Sequence, residues 1–355
     1  MSPTPRRRGA AGARGLPEIG PAAFRRLSVA SLVASVLIVL TGAAVRLTGS
    51  GLGCPDWPSC YRHRLTAQLS YHPAVEFGNR MVTVLFVVVV AATLLAAARR
   101  RPFRRDLTVL SGALVGGVLG QAVLGGIVVY TKLNPYLVMV HFLLSMVIVV
   151  FAVVLVHRSS RDYSPGSGTD LVPGPVRLIA RGVALLLAVV LAAGTATTGA
   201  GPHAGGSQGQ LVAKRLPIAL RDMAEVHASL ALLLVGSVLA LAVALHAVPV
   251  PERVRQAGRA LAVVLVAQGV IGYVQYFTHL PALLVEVHVV GATALVVGTT
   301  QFVLALTHHR AEVAPSAGEV AAGEVAAAAG RPSVGPGPAS ATRTGGRAEG
   351  APVPG

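Results

Sequence analysis

Three histidines stand inside long apolar runs: His141, His227 and His288. A polar, titratable ring at bilayer depth is costly, so it needs a hydrogen-bond partner or a metal. Two of the three belong to a segment written twice. Residues 121–141 and 268–288 align without a gap at an offset of 147, with 9 of 21 positions identical. The shared positions include Gln121/Gln268, Gly125/Gly272, Thr131/Thr278, Leu133/Leu280, Leu137/Leu284 and the terminal histidines. The repetition points to a duplicated cofactor-binding unit. A hydrogen bond to a neighbouring helix is the ordinary fate of one intramembrane histidine. Three at one depth suit a metal better, because imidazoles on helices of one direction can ligate haem iron from opposite faces. His227 and His288 would form such a pair. Zinc has no support from cysteines or HExxH spacing.

Two further groups of residues could carry chemistry. The run Glu76-Phe77-Gly78-Asn79-Arg80 places Glu76 and Asn79 on one helix face, and Arg80 one turn after Glu76. A Glu76–Arg80 ion pair is the plain structural reading. The functional one has Glu76 lining a cavity and handling protons or cationic charge. Aligning the starts of the second and sixth apolar runs puts Asn79 where His227 stands. The only two cysteines, Cys54 and Cys60, flank five residues that include two prolines. In an oxidising compartment they are expected to form a disulfide, either as a staple or as a redox-active pair.

The elements that must position these residues are membrane helices. The chain has 355 residues, 53% hydrophobic and 12% charged, with a mean hydropathy of +0.67. About 20 apolar residues span a bilayer. Eight runs do so, at 27–47, 75–98, 107–130, 137–157, 177–198, 223–246, 257–277 and 283–306. Spanning helices satisfy their own backbone, so the fold class is all-α: a polytopic membrane protein with eight transmembrane helices in two parallel four-helix repeats. An even number of helices per repeat makes the repeats parallel.

The net charge of +16 does not indicate nucleic acid. Of the 30 Lys and Arg, 22 lie in the two tails and the loops at 99–106, 158–181 and 247–259, all on one side of an eight-helix path. That is the positive-inside bias, with both termini cytoplasmic. No apolar core precedes the first run, so no cleaved signal peptide is expected. The even-numbered helices then start outside, and His141, His227 and His288 all lie about one turn within. The expected organisation is a disordered cytoplasmic tail at 1–24 and an N-terminal four-helix half at 25–157. A Ser/Gly/Pro-rich cytoplasmic linker at 158–176 follows, then a C-terminal half at 177–306 and a disordered cytoplasmic tail at 307–355.

Together these residues resemble the haem A synthase family. The run VRLTGSGLGCPDWPSC, Val45 to Cys60, is similar to the family's first extracytoplasmic loop, and Glu76 to Arg80 is similar to its ExxHR element. His141, His227 and His288 match its histidines on helices 4, 6 and 8. The resemblance covers about 27–306. It implies a plasma-membrane enzyme that oxidises the C8 methyl of haem O to a formyl group by successive hydroxylations, yielding haem A for cytochrome oxidase. It implies haem B as cofactor on His227 and His288, and haem O on His141 in the N-terminal half. Glu76 would be catalytic, with Asn79 and Arg80 lining the substrate site and Cys54 and Cys60 matching a bacterial cysteine pair. The implied partners are the haem O-producing enzyme, membrane electron carriers and the lipid bilayer. The departure is Asn79, where the family pattern has histidine; His141 is then expected as the one axial ligand of the substrate haem. The alternative reading of the histidines is a dihaem b-type electron-transfer protein that modifies nothing. An incomplete site beside Glu76 favours the enzyme.

Overall fold

A computed structural model describes residues 18–309 apart from 62–65, 161–162, 164–165, 167 and 209–210. Eight helices follow one another: α1 (Pro21–Leu47), α2 (Tyr71–Arg99), α3 (Arg105–Tyr130), α4 (Pro135–Arg158), α5 (Gly174–Ala200), α6 (Leu220–His246), α7 (Glu252–Phe277) and α8 (Ala282–Ala305). All eight are long and apolar enough to cross a membrane. At ~1.5 Å per residue even 24 residues exceed a hydrocarbon core of ~30 Å. Proline marks the first turn of α1, α4 and α5 and the N-caps of α7 and α8, where a missing N–H is harmless. At α4 the Asn134 side chain also accepts the Tyr136 N–H at 3.0 Å.

The duplicated segment folds the same way twice. Lys132 and Leu133 between α3 and α4, and His279 and Leu280 between α7 and α8, all take left-handed conformations, with φ of 53°, 60°, 64° and 60°. The turns close alike: Leu133 N–H donates to Val128 O at 2.9 Å and Leu280 N–H to Gln275 O at 2.7 Å. Consecutive left-handed non-glycine residues cost about 1 kcal/mol or more each, so each turn is held by the helices it joins. Thr131 and Thr278 bond back to Ile127 O and Val274 O at 2.8 and 2.7 Å, sealing the last turn of α3 and α7.

Packing arranges the helices as two closed rings. Helices α1–α2–α3–α4 touch in sequence and α4 returns to α1; α5–α6–α7–α8 do the same, with α8 returning to α5. The rings meet through α4–α8, α1–α8 and α4–α5. Exchanging α1 with α5 and α4 with α8 carries the α1–α8 contact onto α5–α4, as parallel repeats about a pseudo-two-fold axis require. Among the described residues, the diagonal helices α2 and α4, and α6 and α8, make no backbone contact. An apolar cluster crosses the junction, packing Val39, Met146 and Val149 with Leu187, Leu234, Leu295 and Phe302.

Two boundaries differ from the sequence expectation. α1 begins at Pro21, inside the stretch assigned to the tail, because Phe24 is fully buried in the first ring. The first residues of the stretch assigned to the disordered C-terminal tail are ordered: β4 (Thr307–His309) pairs antiparallel with β1 (Gly168–Asp170) of the linker. Backbone pairing leaves no mark in a Ser/Gly/Pro-rich composition. The remaining strands, β2 (Ser207–Gln208) and β3 (Leu211–Val212), form a small hairpin in the α5–α6 loop. Residues 1–17 and 310–355 lie outside the described residues.

Small polar residues join α1 to α2. Ser31 and Thr93 are fully buried, and their hydroxyls lie 2.9 Å apart across the two helices. In a membrane such a bond contributes roughly 1 kcal/mol. Thr93→Val is therefore expected to lower the unfolding midpoint in detergent without changing secondary structure, as followed by circular dichroism.

Candidate functional site

In the second ring, His227 on α6 and His288 on α8 reach across the interior from diagonal helices. Their ring centroids are 6.3 Å apart, with planes at 78°. Two imidazoles on opposite faces of one metal, each with its nitrogen ~2 Å away, have ring centres about 6 Å apart. The tautomer of His227 is set by its surroundings. Its Nδ1 lies 3.1 Å from the Val190 carbonyl of α5. A carbonyl can only accept, so Nδ1 carries the proton and Nε2 keeps its lone pair for a metal.

Glycines make room for both rings. A Cβ on Gly194 would stand 3.0 Å from Cε1 of His227, and one on Gly272 3.2 Å from Cε1 of His288. Gln268 on α7, itself buried, donates from Nε2 to the His288 carbonyl at 2.6 Å and so ties α7 to the turn of α8 that carries the ring. The His288 Nδ1 is buried and has no protein partner among the described residues. These residues fit a haem held between two axial imidazoles, the cofactor for which the second ring was singled out.

The first ring repeats this plan with one change. His141 on α4 packs on Gly125 of α3, whose Cβ would lie 3.4 Å from Cε1 of the ring. Gln121 donates to the His141 carbonyl at 2.8 Å and to Ser145 Oγ at 2.6 Å. On the diagonal helix α2, Asn79 is the ninth residue, as His227 is the eighth of α6. The Asn79 Oδ1 accepts a hydrogen bond from Thr41 of α1 at 2.8 Å.

Glu76, Arg80, Cys54 and Cys60 come together as one cluster at the N-terminal end of α2. Cys54 and Cys60 are disulfide-bonded. Glu76, 5% exposed, accepts the Cys54 N–H on Oε2 at 2.8 Å and the Arg80 guanidinium on Oε1 at 2.6 Å. Arg80 also donates to the carbonyls of Cys54, Asp56, Pro58 and Ser59, at 2.9 to 3.3 Å. The ion pair that the Glu76–Arg80 spacing suggested is thus present, and it fastens the cysteine loop to α2. Glycine is required where that loop meets the helix, since a Cβ on Gly53 would lie 2.6 Å from the His72 carbonyl. Trp57 packs on Gly126 of α3, and Tyr130 donates to the Trp57 carbonyl at 2.7 Å. His72 is engaged with Ser50 Oγ at 3.1 Å.

The same loop reaches the second ring. Gly51 N–H donates to Gly205 O at 2.8 Å, and Arg46 donates to the His203 carbonyl at 2.9 Å. The His203 ring in turn donates to Leu280 O at 2.8 Å. Sequence reasoning passed over Thr41, Gln121, Gln268 and Gly194. The glutamines open the duplicated segment and Gly125/Gly272 recur in it, which is a usable signal. Nothing in the sequence marks Thr41.

Fold and site define a polytopic membrane protein made by duplication of a four-helix unit, with a paired-imidazole site in one copy and an altered one in the other. The chain belongs to the cytochrome oxidase assembly protein family COX15-CtaA, whose profile matches residues 25–300. Curated relatives called heme A synthase are similar to parts of it. The Geobacillus kaustophilus protein is 34% identical over 109 residues, 30% of this chain and 33% of that one. The Lysinibacillus sphaericus protein is 31% identical over 140 residues, 38% and 45% of the two chains. The Shewanella oneidensis protein is 58% identical over 33 residues, 9% and 10%. The matched stretches thus span less than half the length of each of these relatives.

The Arg80 fan predicts how the loop is held. Arg80→Ala removes all its charge-assisted bonds, and the disulfide is expected to be reduced and alkylated at least about tenfold faster under mild reductant. An unchanged alkylation rate would show that the loop is held elsewhere.

Proposed function

We propose that this chain is a haem A synthase of the plasma membrane, oxidising the C8 methyl of haem O to a formyl group. The observation that carries the reading is the inequality of its two rings. One ring holds a complete imidazole pair, as a resident cofactor needs. The other offers His141 alone, opposite Asn79, with a buried carboxylate one turn away. A pure electron carrier gains nothing from the second arrangement. The names borne by the relatives agree with this reading.

In it, His227 and His288 hold haem B, which supplies one-electron chemistry when bound. The Val190 carbonyl and Gln268 fix the ligand helices, so the imidazoles are in place before the haem enters. His141 takes the substrate haem iron, and Gln121 fixes its helix in the same manner. Each hydroxylation is a two-electron oxidation in which a water oxygen replaces one hydrogen of the methyl carbon, while two electrons and two protons pass to a membrane electron acceptor; the first gives a hydroxymethyl group and the second a geminal diol, which loses water to give the aldehyde. Glu76 is the side chain best placed to balance cationic charge on the substrate's edge. Arg80 and the Cys54 N–H hold it in one orientation, and the disulfide loop is a lid fastened over that end of the ring. Both termini face the cytoplasm by the distribution of arginines, which puts the loop and all three histidines towards the outer face. The haem O-producing enzyme and membrane electron carriers are the expected partners.

Pigment extraction tests the reading. Membranes of a host that makes haem O are expected to contain haem A only when this chain is expressed; haem O alone in both would refute the assignment. Glu76→Gln keeps an acceptor for the Cys54 N–H but loses the charge. It is expected to keep the C-terminal haem spectrum while slowing conversion roughly a hundredfold or more. Conversion at the wild-type rate would leave Glu76 as a loop anchor only.

A further inference from the structure

We propose that Asn79 is the hydrogen-bond donor to a small exogenous ligand, a water or a diatomic molecule, on the face of the substrate haem iron opposite His141. The inference rests on the reading of the first ring as the substrate-haem site. It adds what stands where that ring lacks its second imidazole.

The equivalence of Asn79 and His227 follows from helix register. His227 packs on Gly194, seven residues before Gly201, the C-cap of α5. Asn79 meets Thr41, seven residues before Thr48 of the Thr48-Gly49 pair that closes α1. Both side chains therefore sit at one height on the diagonal helix of their ring. The surroundings differ in step. At the register where Gly194 makes room for the His227 imidazole, α1 carries Thr41, whose hydroxyl reaches Asn79. The first ring is built around an amide, not an imidazole.

Thr41 fixes which end of the amide faces inward. A hydroxyl has one proton to donate, and the 2.8 Å contact to Asn79 Oδ1 outcompetes the 3.4 Å contact to the Ile38 carbonyl. With Oδ1 engaged, the carboxamide presents its NH₂. Nδ2 has no acceptor among the described residues, and it is not sealed from its surroundings. Glu76 does not compete for it, since its carboxylate oxygens accept from the Cys54 N–H and Arg80. An amide nitrogen has no lone pair to give to iron, so its chemistry here is to donate a hydrogen bond. The backbones of α2 and α4 do not meet, and in this proposal a small molecule bridges the amide to the iron on His141, where the second ring has an imidazole.

Carbon monoxide is a direct probe. In the reduced protein carrying haem B and haem O, CO is expected to bind one haem and to leave the low-spin C-terminal haem untouched. That low-spin spectrum also reports folding in every variant. Asn79→Leu is expected to keep CO binding but raise the C–O stretching frequency, because the donor is gone. Thr41→Val is expected to broaden or split the C–O band as the amide loses its lock. Asn79→His is expected to convert the first haem to six-coordinate low spin and abolish CO binding. Wild-type protein inert to CO, or a stretch unmoved in Asn79→Leu, would overturn the proposal. If haem O is converted while the C–O band ignores Asn79, this inference alone fails. If the first ring takes up no haem, the functional reading fails with it.

Discussion

A polar side chain at bilayer depth has no water to turn to, and everything in this protein that can do chemistry is polar. The rings answer that constraint by reaching inward. The imidazoles of His227 and His288 come from helices whose backbones do not meet, and their centroids stand 6.3 Å apart in the interior. Holding two such rings in line takes backbone partners and space: the Val190 carbonyl, the Gln268 amide, and glycines at 194 and 272. Each lies on the neighbouring helix rather than the histidine's own. The four-helix ring is therefore the smallest unit that can present a site, and duplication yields two.

The two copies share their framework and differ at the point of contact with the ligand. The inter-helix turns, the glutamine clamp on the histidine carbonyl and the glycine beneath the imidazole recur at both ends of the repeat. The diagonal partner does not: an imidazole on α6 becomes an amide on α2, and the residue it meets on the preceding helix changes from Gly194 on α5 to Thr41 on α1. A single substitution of ligand would leave a misfit. A matched change on two helices reads as a second function for the same scaffold. The cysteine loop closes over the altered copy only, fastened by Glu76 and Arg80 and leaning on the second ring through Gly205 and His203.

Much of this was legible in the sequence because hydrophobic length and a strong repeat are linear signals. Eight apolar runs gave eight helices, the 147-residue offset picked out His141 and His288, and aligning the starts of the second and sixth runs showed the asymmetry at Asn79. Helix ends were harder, since α1 and α7 extend into polar residues held by burial or by capping prolines. The pairing of Gly168–Asp170 with Thr307–His309 joins segments far apart in the chain and carries no composition signal. Glu76 was read with two roles. Its spacing to Arg80 was visible, but the acceptance of the Cys54 N–H depends on a loop folding back 22 residues, which no periodicity shows. Thr41 escaped notice for the same reason.

The central claim is that the second ring is a bis-imidazole haem site while the first is not. Electron paramagnetic resonance on ferric protein purified from a host that makes only haem B tests it most directly. With the His227 and His288 planes at 78°, the account predicts a low-spin signal of the strongly anisotropic kind given by near-perpendicular imidazoles. That signal should vanish in both His227→Ala and His288→Ala and survive His141→Ala. A low-spin signal that persists without His227 or His288, or that disappears with His141, would contradict it.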